Sequence, residues 1–156
     1  MFKKGFVLLF FAIFLITGCS NQNSDMYEVN QTDVTEKLDN IDFEYKLPMK
    51  MPFEVESTQI NQPPTDQSMF SVAFYGVGGE YLFLDVSNSD VKQSTGNQTE
   101  EVSIDNLKGT FLEHNQGAKV LFWKENEVTY QLSLKESGDQ DRYSKEDLIK
   151  IAESFE

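Results

Sequence analysis

Few side chains in this sequence stand where they could do chemistry together. His114 is the only histidine. It follows Glu113 in a segment that alternates like a β-strand, so the two side chains point to opposite faces and cannot work as an acid–base pair. A catalytic histidine wants an orienting acid and a nucleophile, and neither can be placed beside it. Asp139-Gln140-Asp141 opens like a calcium loop. Counting from Asp139, the sixth place holds Ser144 where the loop needs glycine, and the twelfth holds Lys150 where it needs glutamate. Glu100-Glu101 borders a polar stretch and reads as solvated charge. The one cysteine, Cys19, excludes an internal disulfide and any paired-cysteine zinc or redox site. No glycine-rich phosphate loop is present. The expectation is a protein that is not an enzyme, with no cofactor, no metal and no catalytic residues.

The aromatic residues are the more informative set. In Glu80-Tyr81-Leu82-Phe83-Leu84-Asp85-Val86, a strand would send Leu82, Leu84 and Val86 to one face and Tyr81 and Phe83 to the other. Val120-Leu121-Phe122-Trp123 is likewise apolar on both faces. A sheet of five or six strands is about 24–29 Å wide, whereas one twelve-residue helix is about 18 Å long and 10 Å across. One helix therefore covers part of one face. The other face must curl on itself and close its own core, the commoner solution, take cover from the Pro-rich N-terminal segment, or leave an apolar ligand groove lined by Tyr81, Phe83 and Trp123.

The elements that would hold these residues are mostly strands. Alternation or apolar runs mark 53–60, 69–75, 80–86, 102–104, 109–114, 118–124 and 127–134, with Gly76-Val77-Gly78-Gly79 as a hairpin turn and Glu125-Asn126 at the tightest turn. Residues 88–100 are polar and read as an exposed loop. Before the strands, Val34, Leu38 and Ile41 share one helical face over one or two turns, and Pro48 and Pro52 hold the next segment extended. The clearest helix spans 144–156. Ser144 caps it, Asp147 stands where the reciprocal capping acid belongs, and Tyr143 with Leu148 forms a hydrophobic staple. Leu148, Ile151, Ala152 and Phe155 make its apolar stripe. The fold class expected is α+β: a curved antiparallel sheet of about five or six strands with a C-terminal helix packed on one face.

The first residues belong to a different layer of information. Lys3 and Lys4 precede an apolar run, Phe6 to Ile16, too short to span a bilayer comfortably. It ends in Ile16-Thr17-Gly18-Cys19, which resembles the lipobox of bacterial lipoproteins. That resemblance implies cleavage before Cys19, a diacylglyceryl group on its thiol and acylation of the new amine. The organisation expected is a signal peptide over 1–18, a lipidated tether over 19–32 and one extracytoplasmic domain over 33–156. Removing 1–18 takes away two lysines and no acids, so the net charge moves from −13 to −15. Fifteen of the 20 aromatic residues remain, more than a disordered chain carries. Such acidity disfavours nucleic acid as a partner and disfavours lying flat on anionic lipid. The partners expected are the cell membrane, through the lipid anchor on its extracytoplasmic face, and an apolar ligand or a protein.

Trp123-Lys124-Glu125, Tyr130-Gln131-Leu132 and the closing run from Ser144 to Phe155 together resemble a bacterial extracytoplasmic family of unknown function. Its domain ends in a tryptophan strand, a hairpin and a helix, and it occurs in lipoproteins and in membrane-linked, anti-sigma-like proteins. The resemblance covers about residues 43 to 156 and rests on packing motifs. It carries no catalytic residues over. It implies a non-catalytic, lipid-anchored binding or support protein, with a regulatory module acting through a membrane partner as the alternative.

Overall fold

The computed structural model describes residues 25–38, 41–63, 67–89, 99–114, 117–135 and 142–156. The apolar run before Cys19, Cys19 itself, the start of the tether and the Asp139–Asp141 segment lie outside them. Two short strands come first. β1 (Tyr27–Glu28) pairs antiparallel with β2 (Lys50–Met51), and the single-turn helix α1 (Thr32–Thr35) lies between them in sequence. Seven strands follow: β3 (Val55–Asn61), β4 (Met69–Gly76), β5 (Tyr81–Ser87), β6 (Thr99–Ile104), β7 (Leu107–Glu113), β8 (Lys119–Glu125) and β9 (Val128–Lys135). They form one antiparallel sheet in the order β3-β4-β5-β9-β8-β7-β6. Two meanders, β3-β4-β5 and β6 to β9, meet where β9 pairs with β5.

The broad class agrees with the α+β expectation, but the strand count does not: seven strands share the main sheet and two more form a small one. The seven strands of the main sheet overlap the seven segments marked in the sequence, and the expected count of five or six falls short of those segments. β3 and β6 each have a neighbour on one side only, and they keep more exposed than buried positions, so their apolar signal is weak.

Turn chemistry sets the register. Asn126 and Glu127, the two residues joining β8 to β9, both have positive φ (48° and 69°), the left-handed pair that a two-residue hairpin favours. The β4–β5 connection closes through Gly76, whose amide donates to the Glu80 carbonyl at 2.9 Å. Here glycine is required by close approach. A Cβ on Gly76 would stand 2.5 Å from Glu80 Oε2, and one on Gly78 the same distance from Oε1.

Alternation then sorts the side chains. Phe70, Val72, Phe74, Leu82, Leu84, Val86, Leu121, Trp123, Tyr130 and Leu132 fall on one face and are buried. The C-terminal helix α2 (Lys145–Glu153) lays Leu148, Ile151 and Ala152 into the same core. Its capping box is complete: the Asp147 amide donates to Ser144 Oγ at 3.2 Å, and the Ser144 amide donates to Asp147 Oδ2 at 2.8 Å. The helix is shorter than its apolar stripe. After Glu153 the chain turns extended and pairs with residues 47–49, with the Leu47 and Glu156 backbones exchanging hydrogen bonds at 3.1 and 3.2 Å. That bend, not a further helical turn, brings Phe155 into the core. Val29, Val34, Leu47, Met51 and Phe53 join the same cluster. The N-terminal segment and α2 thus cover one face between them.

Candidate functional site

The three aromatic residues expected to line a groove do not lie together. Tyr81 and Phe83 share the outer face of the sheet with Tyr75; their rings stand 6.2 Å apart, and Tyr75 lies 5.3 Å from Tyr81. Trp123 occupies the opposite, inner face, because β8 is related to β5 through β9 and Trp123 falls opposite Tyr130. It is 3% exposed, stacks on Tyr130 at 5.1 Å and meets the edge of Phe155 at 5.0 Å. Period-two alternation could sort faces within each strand, but it could not say which face of one strand matches which face of another.

The outer face is polar as well as aromatic. Ser71 Oγ donates to Asp85 Oδ1 at 2.6 Å, and Gln131 Nε2 lies 3.4 Å from Oδ2 and 3.1 Å from Ser133 Oγ. Partial burial raises the Asp85 carboxyl above its ordinary value, and the Ser71 hydrogen bond offsets part of that rise. Burial also raises Tyr81, with Tyr75 and Asp85 adding to it.

A second polar cluster pins the glycine turn to the start of α2. Glu80 is 7% exposed; its Oε1 accepts from Arg142 Nη1 at 2.9 Å and from the Tyr143 hydroxyl at 3.3 Å. Its Oε2 is buried without a hydrogen-bond partner among the described residues. Burial and the neighbouring Glu80 push the Tyr143 phenol up to about 12. In the sequence Glu80 is only the first residue of a strand segment, and the glycines before it are the one hint that something packs close to the backbone.

A cleft of about 620 Å³ lies at one end of the sheet, between residues 43–46 and the β8–β9 turn, with Asn88 beside them. Phe43, Tyr45 and Tyr130 supply rings. Phe43 and Tyr45 brace one another and both pack on Phe70, at 6.3 and 4.9 Å. The Tyr130 hydroxyl accepts the Lys46 backbone N–H at 3.1 Å. Burial raises the phenols of Tyr130 and Tyr45. At the rim, Lys46 Nζ meets Glu125 Oε1 at 2.7 Å and Lys124 Nζ meets Glu127 Oε2 at 2.9 Å. Lys46 lies 79 positions from Glu125 and 84 from Tyr130 in sequence, so no local motif marks the cleft.

Among the described residues no three His, Cys, Asp or Glu side chains converge on a metal position. No described helix is long and apolar enough to cross a membrane. His114 is exposed at the β7–β8 turn, where its backbone bonds Ala118 and Gly117.

An antiparallel sheet backed by one capped helix, with an aromatic cleft at its end, defines a class of small extended-core domain and no particular chemistry. Residues 40–155 match a family described as a domain of unknown function (DUF4367). The chain belongs to that family. No curated protein and no solved structure matches the chain.

Proposed function

We propose that this chain is a non-catalytic, lipid-anchored binding protein on the extracytoplasmic face of the cell membrane. The observation that carries the reading is the order of Lys3-Lys4, the apolar run and Ile16-Thr17-Gly18-Cys19 in front of a single acidic domain. Diacylglycerylation of Cys19 would leave the domain tethered through residues 19–32, with its end-of-sheet cleft free to meet a ligand. The ringed cleft supports binding over catalysis, since rings bracketed by paired charges offer contact surface and hydrogen bonds and no nucleophile beside a base.

Cys19→Ser tests the anchor. The variant should leave the detergent-soluble membrane fraction, and an inhibitor of the lipoprotein signal peptidase should make the uncleaved wild-type chain accumulate. A variant that stays in membranes after high-salt washing, with no such accumulation in the wild type, would contradict the lipoprotein reading. A second reading, a regulatory module acting through a membrane protein partner of the anti-sigma type, is favoured by one feature. The outer face carries Tyr75 at 36% exposure beside Tyr81 and Phe83, the kind of surface a protein partner covers.

A further inference from the structure

We infer that the cleft between residues 43–46 and the β8–β9 turn takes an organic cation of side-chain size, an alkylammonium or guanidinium group. The inference rests on the reading of this cleft as the binding site and specifies what enters it. Three observations select the class.

The first is the rings. Phe43, Tyr45 and Tyr130 line the cleft, and none is free to swing away. Phe43 and Tyr45 lean on Phe70, and Tyr130 is held by its stack on Trp123 and by the Lys46 amide. Tyr130 is 2% exposed with one face on Trp123, so the half-buried Phe43 and Tyr45 are the rings a ligand meets; ring faces are negative, and a cation gains against them where an anion loses.

The second is the charge count at the rim. Glu44, Glu125 and Glu127 face the cleft against a single lining cation, Lys46. Lys46 is engaged by Glu125, and Lys124 reaches in to engage Glu127. Glu44 is exposed and makes no ion pair among the described residues, so the described lining keeps a negative excess. The whole chain carries −13, which favours cations over anions near its surface generally. An anionic ligand would meet carboxylates and find both nearby ammonium groups occupied.

The third is the acceptors. Asn88 and Asn126 add side-chain amides to the wall. Their carbonyl oxygens suit N–H donors, whereas a purely apolar guest would strip water from them without return. A volume of about 620 Å³ is ample for one such group with its stem.

The test uses the full-length protein in a neutral maltoside detergent at low salt, titrated by calorimetry and observed by saturation-transfer NMR on the ligand. The probes are two cations, choline chloride without N–H donors and Nα-acetyl-arginine methylamide with them, and two neutral molecules, 3,3-dimethylbutan-1-ol as the uncharged isostere of choline and N-acetylglucosamine as a sugar. At least one cation should bind about tenfold more tightly than 3,3-dimethylbutan-1-ol. Glu44→Gln, at an exposed position that leaves the fold alone, should weaken it about two- to fivefold, and added salt should do the same. Phe43→Leu keeps the apolar bulk, removes a ring and should weaken the cation further. If the neutral alcohol or the sugar binds as tightly as the cations and Glu44→Gln has no effect, the cation class is wrong while the cleft remains a binding site. If none of the four saturates, the cleft is not a site for this chemistry at all. The lipid anchor is decided separately, by the fractionation of Cys19→Ser.

Discussion

The two faces of β5 carry the same kinds of residue to different ends. On the inner side Leu82, Leu84 and Val86 are sealed at 0% exposure under the N-terminal segment and α2. On the outer side Tyr81 and Phe83 are half-buried, pack against Tyr75, and share their surface with the Ser71–Asp85–Gln131 hydrogen bonds. The contrast extends to whole clusters. Trp123, Tyr130 and Phe155 meet face to face and edge to face inside the core, while Tyr75, Tyr81 and Phe83 form a row on the sheet's outside. Residue type alone does not separate a core cluster from a surface one. What separates them is which face the covering elements reach, and both covering elements reach the same one.

The sharpest way to break this comparison is to uncover the inner face. Deleting residues 144–156 removes Leu148, Ile151 and Phe155, each worth about 1.5–3 kcal/mol when fully buried. A domain of this size holds only about 5–15 kcal/mol in total. Cooperative thermal unfolding should therefore be lost; calorimetry that still shows one sharp transition near the parent midpoint would mean that the helix is an appendage.

A paired substitution compares the two clusters directly. Trp123→Ala should cost about 3–5 kcal/mol, because its ring is enclosed by Tyr130 and Phe155 and the cavity cannot collapse easily. Phe83→Ala, on the half-exposed outer row, should cost only about 1 kcal/mol. Urea denaturation of both variants measures the gap. Equal losses would show that the outer row is as deeply packed as the inner one.

The smallest effect concerns Asp85, the acid set among the outer residues. Its folded pKa is raised by burial, so the folded state holds the proton more tightly than the unfolded chain. The associated stability is fully present below the unfolded value of 3.8 and is lost as pH rises through the higher folded value. Asp85→Asn should therefore be more stable than the parent at neutral pH, with the difference closing as the solution is acidified. Chemical denaturation across that range would detect it; a variant less stable at neutral pH would mean that the ionised carboxylate is a net asset to the face.

Much of the fold was legible because its signals are local. The capping box at Ser144 and Asp147, the stripe of α2, the β5 alternation and the turn at Asn126 each need only a few neighbouring residues to be read. The edge strands β3 and β6, which bury little, show in sequence only as a loose alternation and a three-residue run, and Thr99 and Glu100 of β6 read there as loop. Relations between distant segments were not legible. Nothing local to Trp123 tells that it lies across the sheet from Tyr81 and Phe83, because that depends on a pairing of β5 with β9 that spans the long loop and a whole meander. The cleft is hidden for the same reason, being assembled from residues 43–46, 88 and 125–130. The Glu80 cluster is hidden too, since its partners Arg142 and Tyr143 lie some sixty residues on.

The inner face is a closed core, sealed by α2 and the N-terminal segment. Trp123 is the only tryptophan, so its fluorescence in the full-length protein reports on that face alone. Emission should be blue-shifted and only weakly quenched by acrylamide, whether or not the cleft beside Tyr130 is occupied. Red-shifted emission that acrylamide quenches readily, and that moves when an apolar ligand is added, would contradict the claim and return Trp123 to the wall of an open groove.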